Sequence, residues 1–336
     1  MTAEGSAVSE PRFLITTPLP EPAYALLSEQ GTVDVWEHEH SSGELAEAAA
    51  SGRYSVILSQ LTDRLGAAEL ADAKIDGIAN YAVGFDNIDI AAATSAGIMV
   101  GNTPGVLTAP TADIAMLLIL ATARRCIEAD TYTRAGLFDG WKPSLLLGSD
   151  VSGATLGLIG SGRIAAATAR RAAGFDMVIQ HCSVRGAHDR VAPGESELEL
   201  GQRVSFDELI ETSDFVSVHV PLAENTYHLV NAAVLSRMKR SAILVNTARG
   251  PVVDEVALVA ALKSGEIAAA GLDVYENEPR LASGLVELAN SVLLPHVGSA
   301  TVSVRSKMAE LCALNAIAMS RREIPPHPVN PQAWHS

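Results

Sequence analysis

The chain has 336 residues, of which 48% are hydrophobic and only 4% aromatic. This length has room for about two domains, whose cores must be packed mostly with Ala, Val, Ile and Leu. The formal net charge of −15 argues against a nucleic-acid partner, because such binding is driven largely by Lys and Arg. The three cysteines are far apart and odd in number, which implies no disulfide framework, and no metal-ligand spacing such as CxxC or HExxH occurs.

The amino-terminal segment MTAEGSAVSEPR has neither a basic region nor an apolar core, so it lacks the pattern of a signal peptide. No uninterrupted apolar run reaches the ~20 residues that are needed to span a bilayer. We therefore expect a soluble, cytoplasmic protein with neither a membrane partner nor a nucleic-acid partner.

Short apolar runs alternate with helical or polar segments in the first hundred residues. RFLIT (12–16), SVILS (55–59) and IDGIAN (75–80) each have the length and composition of a buried strand, and IMVGNTP (98–104) follows them. This alternation predicts parallel βα units. Apolar residues then repeat at helical spacing, which predicts a helix over about 109–126 that connects two domains.

A second set of βα units follows. Its six strand candidates are ATLGLI (154–159), MVIQH (177–181), FVSVHV (215–220), ILVNT (243–247), AAAGLDV (268–274) and VLLPH (292–296). All are almost continuously apolar, as expected for strands that helices cover on both faces. A last helix is predicted over 302–320, returning to the first domain. We thus predict two α/β domains, one formed by residues 1–104 with 300–336 and the other by residues 105–299.

A glycine-rich turn, Gly160-x-Gly162-x-x-Ala165, directly follows a predicted strand and opens a predicted helix. Glycines at such a turn let the backbone approach a pyrophosphate, whose charge is stabilised at the helix N-terminus. Arg163 adds a cation. The turn therefore predicts a dinucleotide site, and the structural alternative is an ordinary βα turn.

The end of the next strand bears on which dinucleotide is bound. Cys182 lies 22 residues past Gly160, where an NAD enzyme usually carries an acidic residue that holds the ribose 2′-hydroxyl. Here no carboxylate would repel a 2′-phosphate, while Ser183 can donate a hydrogen bond and Arg185 can pair with the phosphate charge. The segment favours NADP over NAD. A relaxed loop with Arg185 solvated leaves NAD open.

Three segments in the second half carry polar residues just after apolar strands. They hold Arg249, then Asp273 with Glu278, and finally His296. Ligands of open parallel sheets bind at the carboxyl ends of the strands. Arg249 can clamp a carboxylate and polarise a carbonyl, His296 is a natural general acid near neutral pH, and Glu278 can orient its ring. Together, behind a dinucleotide turn, these residues fit hydride transfer to a 2-oxo acid.

Several longer motifs carry a resemblance to a known family. They are NYAVGFDNIDI (80–90), NTPGVLT (102–108) with TADIA (111–115), NTARGPVVDE (246–255), GLDVYENEP (271–279) and PHVGSAT (295–301). With them the sequence resembles the D-isomer-specific 2-hydroxyacid dehydrogenases, most closely the glyoxylate/hydroxypyruvate reductases, from about residue 80 to 330. The resemblance implies a Rossmann-type doubly wound parallel sheet for the dinucleotide and a discontinuous, flavodoxin-like substrate domain.

The same resemblance implies roles for individual residues. The backbone amides of Val83 and Gly84 would bind the substrate carboxylate alongside Arg249, and His296, supported by Glu278, would protonate the carbonyl oxygen. The implied cofactor contacts are Thr111 near the nicotinamide and Asp273 at its carboxamide, Gly160, Ser161, Gly162, Arg163 and Ile164 around the pyrophosphate, Val220 and Pro221 at the adenine, and Thr247, Ala248 and Gly298 along the cofactor. A homodimer through the second domain is also implied, with the segment around Trp141 in the contact.

We therefore predict an NAD(P)H-dependent reductase that converts a small 2-oxo acid of the glyoxylate or hydroxypyruvate type to the D-2-hydroxy acid, with NADP preferred or NAD used, and no metal. One alternative is a dehydrogenase for a bulkier D-2-hydroxy acid. Another is a corepressor-like binding protein that senses the dinucleotide, for which catalysis is incidental, because fold does not fix function.

Overall fold

The computed structural model describes residues 10–184 and 201–335. The chain divides into two compact units, one formed by Met1–Val106 with Ala300–Ser336 and the other by Leu107–Ser299. Each unit holds one sheet of parallel strands. Arg185, which the sequence assigns to the cofactor, lies outside the described residues.

The first unit contains a five-stranded sheet in the order β2-β1-β3-β4-β5. Its strands are β1 (Arg12–Ile15), β2 (Thr32–Val35), β3 (Val56–Ser59), β4 (Gly77–Asn80) and β5 (Met99–Gly101). Its helices are α1 (Ala23–Ser28), α2 (Ser42–Ala50), α3 (Ala67–Leu70), α4 (Ile90–Ser95) and α11 (Val302–Ser320), with a 3₁₀ helix at Pro331–His335. This strand order is that of the flavodoxin-like folds.

Helices cover both faces of this sheet. One face packs against α1 and α11, and the Cys312 thiol of α11 donates to the Ala79 carbonyl of β4 at 3.3 Å. The other face carries Leu14, Ile57 and Ile78, which are fully buried against α2 and α3. Since side chains alternate along a strand, a sheet buried on both faces needs apolar residues at almost every position, as β3 and β4 have.

The second unit contains a seven-stranded sheet in the order β12-β11-β10-β9-β6-β7-β8. Its strands are β6 (Thr155–Ile159), β7 (Val178–Cys182), β8 (Gln202–Arg203), β9 (Phe215–Val218), β10 (Ile243–Asn246), β11 (Ala269–Leu272) and β12 (Ser291–Leu293). Its helices are α5 (Thr108–Ala123), α6 (Cys126–Arg134), α7 (Arg163–Ala173), α8 (Phe206–Thr212), α9 (Ala232–Leu235) and α10 (Glu255–Ser264), with 3₁₀ helices at Glu224–Thr226 and Gly250–Val252.

The order of these strands is doubly wound. The chain proceeds from β6 outward to β7 and β8, then crosses back to β9 and continues to β12 on the other side. α5 and α7 cover one face and α8, α9 and α10 the other. The order reverses beside β6, and ligands of such sheets bind at this switch point. The predicted fold class is confirmed.

The strands β2 and β8 were not predicted from the sequence, and one helix is shorter than predicted. β2 is only half-buried along its length and β8 is an exposed pair of residues at the sheet edge, so neither has a continuous apolar run. α5 ends at Ala123, because Arg125 has a left-handed backbone with φ of 51° and starts α6. No helix in the described parts of the chain is long and apolar enough to cross a membrane.

Candidate active site

Polar residues of the second unit gather at the carboxyl ends of three adjacent strands. Arg249 follows β10, Asp273 follows β11 and His296 follows β12. The strands are in register, with Asn246 opposite Leu272 and Leu272 opposite Leu293, so the residues after them emerge at one edge of the sheet. The polar segments that the sequence analysis grouped are therefore brought together.

His296 is paired with Glu278. Its Nδ1 lies 2.9 Å from Glu278 Oε2, and the other oxygen, Oε1, accepts the backbone N–H of Tyr275 at 3.0 Å. Burial alone would raise the pKa of Glu278, but the hydrogen bond and charge of His296, the Tyr275 N–H and the charge of Arg249 together lower it below its usual value. Glu278 is thus a carboxylate near neutral pH, which accepts a proton-bearing Nδ1.

Asp273 fixes the backbone directly after His296. Its two carboxylate oxygens accept the N–H groups of Val297 and Gly298, both at 2.7 Å, and its side chain is buried. Burial raises the pKa of Asp273 against the opposing effect of these bonds and of the His296 charge. His296 itself has a left-handed backbone with φ of 55°, so this clamp holds a strained residue in place.

The turn that carries Arg249 is held by Asn246 at the end of β10. The Asn246 amide donates to the Arg249 carbonyl at 2.9 Å and accepts the Ala248 N–H at 3.0 Å. Gly250 then packs on the Tyr275 backbone so closely that an added Cβ would lie 1.8 Å from the Tyr275 carbonyl carbon. Glycine is therefore needed for the Arg249 turn to approach the segment that holds Glu278.

The glycine-rich turn lies at the switch point of the sheet. Gly160 has φ of +109°, its N–H donates to the Cys182 carbonyl at 2.9 Å, and an added Cβ would lie 2.4 Å from the His219 carbonyl oxygen. Gly162 precedes α7 without a side-chain cap, and a Cβ there would meet nothing within 4 Å. The space beside Gly162 is therefore open where α7 begins. Its first N–H groups lie there, and a pyrophosphate fits such a place.

The structure distributes the other predicted cofactor residues along this edge. The Thr111 hydroxyl donates to the Gly298 carbonyl at 3.3 Å. Ser161, Val220 and Thr247 are buried, Ile164 and Ala248 are half-buried, and Arg163 and Pro221 are exposed. The Thr247 hydroxyl has no hydrogen-bond partner among the described residues. Near the turn, burial lowers the pKa of His219 to about 4, so this histidine is neutral at neutral pH.

Cys182, which the sequence analysis assigns to the cofactor site, ends β7. It is buried in the core with Ile159 and Leu209, so it points away from solvent at the end of β7. The reason is strand alternation, because Cys182 shares a face with the residues that pack on α8. Ser183, the next residue, is half-buried in the loop after β7.

In the first unit, Val83 and Gly84 lie in the loop after β4. Three successive carbonyls of this loop accept hydrogen bonds: Ala82 from the Thr103 N–H at 2.9 Å, Val83 from the Asn102 side chain at 2.8 Å, and Gly84 from the Asn80 side chain at 2.9 Å. In a trans peptide the N–H points opposite to the carbonyl. The Val83 and Gly84 amides therefore point away from these partners, and they donate to no described residue.

Sequence reasoning missed the residues that hold this geometry, namely Asn246, Tyr275, Asn80 and Asn102. Asn246 and Asn102 both directly follow or end an apolar strand, which is a position where a polar side chain reaches the next turn. That signal is available in the sequence, but it does not identify which backbone group is bound. No cluster of three His, Cys, Asp or Glu side chains suited to a metal is present within the described ranges.

Residues 116–298 match the family model "D-isomer specific 2-hydroxyacid dehydrogenase, NAD binding domain". The chain belongs to this family. It is 47% identical to the glyoxylate reductase of Korarchaeum cryptofilum over 325 residues, which cover 96% of each chain.

Solved structures of the family agree with this assignment. A glyoxylate reductase from Paecilomyes thermophila superposes with a TM-score of 0.85 at 31% identity, over 96% of this chain and 98% of that one. The NADPH-dependent glyoxylate/hydroxypyruvate reductase of Sinorhizobium meliloti, in complex with NADP and malonate, gives a TM-score of 0.83 at 33% identity, over 96% and 98%. The chain is an NAD(P)-dependent oxidoreductase of the D-2-hydroxyacid dehydrogenase family.

Proposed function

We propose that this protein reduces glyoxylate or hydroxypyruvate to the D-2-hydroxy acid. The observation that carries the proposal is the His296–Glu278 pair, clamped by Asp273 and neighboured by Arg249. The names of the relatives support the substrate, since several at 43–47% identity are glyoxylate reductases. A small 2-oxo acid offers a carboxylate for Arg249 and a carbonyl oxygen for a proton donor.

The roles of the residues follow from their hydrogen bonds. Because Glu278 accepts Nδ1–H of His296, the ring nitrogen left to deliver a proton to the carbonyl oxygen is Nε2. Arg249, together with the Val83 and Gly84 amides, would bind the carboxylate. The nicotinamide of the bound cofactor supplies the hydride. Gly160, Gly162 and the first N–H groups of α7 would hold its pyrophosphate, and Thr111 and Gly298 would lie beside its nicotinamide end.

The chain offers a matched control for the proton donor. His228 also has a left-handed backbone, with φ of 48°, and its Nε2 lies 2.8 Å from Glu276. Its side chain is 30% exposed, against 32% for His296. Unlike His296, His228 is not followed by residues whose N–H groups donate to Asp273.

We expect His296→Gln to lower kcat for glyoxylate reduction by about 10²–10⁴-fold, since a general acid contributes this much. Binding of NADPH, measured by fluorescence, should stay unchanged. His228→Gln should retain wild-type kcat, and Arg249→Ala should raise KM as well as lower the rate. Equal rates for the His296 and His228 variants would refute the assignment, and a wild-type chain that turns over neither 2-oxo acid would refute the function.

We propose further that NADP is the preferred cofactor. No carboxylate follows β7 in the described residues up to Val184, so nothing there repels a 2′-phosphate. Ser183 supports the assignment as the half-buried hydroxyl after Cys182. The structural relative from Sinorhizobium meliloti, described as NADPH-dependent, has the same fold.

Introducing an acid at this position tests the preference. The wild-type chain should use NADPH with a kcat/KM at least about tenfold above that for NADH, and Ser183→Asp should reverse the preference through repulsion of the 2′-phosphate. Ser183→Asn has the same shape without charge and should keep the NADPH preference. Wild-type preference for NADH would contradict the proposal.

We also propose a homodimer through the second unit, and the cytoplasm remains the predicted location. α6 buries none of its residues, and Ile127, Leu137, Phe138 and Trp141 are 54–84% exposed. Beside them a cavity of about 370 Å³ opens at the amino-terminal edge of the sheet, opposite to the candidate active site, and Ile127 and Leu147 line it. Exposed apolar patches of this kind mark protein interfaces.

Light scattering should give a mass twice the 35.1 kDa of one chain. Phe138→Asp should reduce it to one chain, because a charge in a buried apolar contact is unfavourable. Val256→Asp, on the exposed side of α10, changes an equally apolar surface residue and should leave the dimer intact. A wild-type mass of one chain would contradict the proposal.

A further inference from the structure

A buried hydrogen-bonded pair of side chains lies at the carboxyl edge of the first unit's sheet. His40 Nε2 is 3.0 Å from Asp63 Oδ1, and the two side chains are 9% and 1% exposed. Asp63 Oδ2 accepts the Thr16 hydroxyl at 2.6 Å and the Gln60 N–H at 2.9 Å. Burying a carboxylate is costly unless a charge and hydrogen bonds compensate. Among the described residues, no Lys or Arg side chain pairs with Asp63, and His40 is the partner of its Oδ1.

A chain of side-chain amides connects this pair to the loop after β4. Asn87 Nδ2 donates to the carbonyls of Gln60 and Asp63, both at 3.0 Å. The amides of Asn87 and Asn80 face each other at 3.4 Å, and Asn80 Nδ2 donates to the Gly84 carbonyl at 2.9 Å. Each step from the Asp63 backbone carbonyl through Asn87 and Asn80 to the Gly84 carbonyl is therefore a hydrogen bond between described groups.

The far end of this chain is the loop whose Val83 and Gly84 amides point away from the groups that bind its carbonyls. The Asn80 bond fixes the Gly84 carbonyl, and the Asn102 bond fixes the Val83 carbonyl. The Val83 carbonyl shares a peptide plane with the Gly84 N–H, which the Asn102 bond therefore directs. The Asn80 bond holds the carbonyl of Gly84 itself, so a shift of Asn80 would move Gly84 and its amide. Carboxylate binding by backbone amides depends on such fixed directions.

We propose that the buried His40–Asp63 pair is a positioning device for the carboxylate-binding loop, and that it sets the affinity for the 2-oxo acid without touching it. This inference rests on the proposed function. Removal of the imidazole leaves the buried Asp63 Oδ1 without its hydrogen-bond partner. The turn from Gln60 to Asp63 then rearranges, and Asn87, which binds both of its carbonyls, moves with it.

His38 provides the matched control. It belongs to the same segment and also contacts the Trp36 ring, with centroids 5.6 Å apart against 4.8 Å for His40. Its side chain is 59% exposed, and its nearest carboxylate, 3.9 Å away, is Glu44 on α2, which is not part of the chain to the loop.

The test compares His40→Gln with His38→Gln in the full-length protein. We expect His40→Gln to raise KM for glyoxylate about tenfold with kcat within about twofold of wild type, the pattern of lost ground-state binding. Affinity for oxalate in the NADPH complex, measured by calorimetry, should fall by a similar factor. His38→Gln should match wild type, and both variants should bind NADPH normally. Equal KM values for the two variants would overturn the inference.

A second variant tests the route. Asn87→Ala should raise KM to a similar extent, and the His40→Gln/Asn87→Ala double variant should be no worse than Asn87→Ala, because both changes break one chain. If the increases in KM of the two single variants multiplied in the double variant, the proposed route through Asn87 would be overturned. If the wild-type chain turned over no 2-oxo acid, the proposed function would be refuted together with this inference. If the wild-type chain is active and the variants have the same KM as wild type, only this inference is refuted.

Discussion

The candidate active site depends on one buried carboxylate. Asp273 accepts the N–H groups of the two residues that follow His296 and so holds the segment after β12 against the end of β11. A non-glycine residue in the left-handed region costs on the order of 1 kcal/mol or more, and His296 is in that region. The clamp therefore favours the backbone that brings the imidazole to Glu278.

The other residues that are proposed to bind the ligand are also held by a nearby side chain that binds backbone. Asn246 holds the turn before Arg249, and Asn80 and Asn102 hold the loop that contains Val83 and Gly84. In each case a side chain at or just after a strand end binds backbone, while the neighbouring residue is the one proposed to meet the ligand. The rigid sheet positions the side chain at the strand end, and this side chain positions the residue that is proposed to meet the ligand.

The central strands and the three residues proposed to be catalytic could be picked out from the sequence because each leaves a local pattern. β3, β4 and β10 are apolar up to a polar last residue since helices cover both of their faces, and Arg249, Glu278 and His296 are polar residues that follow apolar strands. β2 and β8 were not predicted because their residues are partly or wholly exposed. The fold class followed from the alternation of these units.

The supporting contacts could not be predicted in this way. Asp63 and Asn87 are 24 residues apart, and Asn80 and Asn87 face each other only after β4 and its loop are folded. The burial of the Cys182 side chain was also not predictable, because distance from Gly160 along the chain does not reveal which face of β7 it occupies. Spatial neighbours and strand faces come from packing, which a single sequence does not display.

The central claim is that Asp273 positions His296 for proton transfer, and Asp273→Asn tests it most directly. The asparagine keeps the shape but replaces one acceptor by a donor that faces an N–H group. Measured kcat for glyoxylate reduction should fall about a hundredfold, the cost of misplacing a catalytic group by about 1 Å. Asp254→Asn, which alters the cap of α10, should change kcat little. A wild-type kcat in the Asp273 variant would contradict the account.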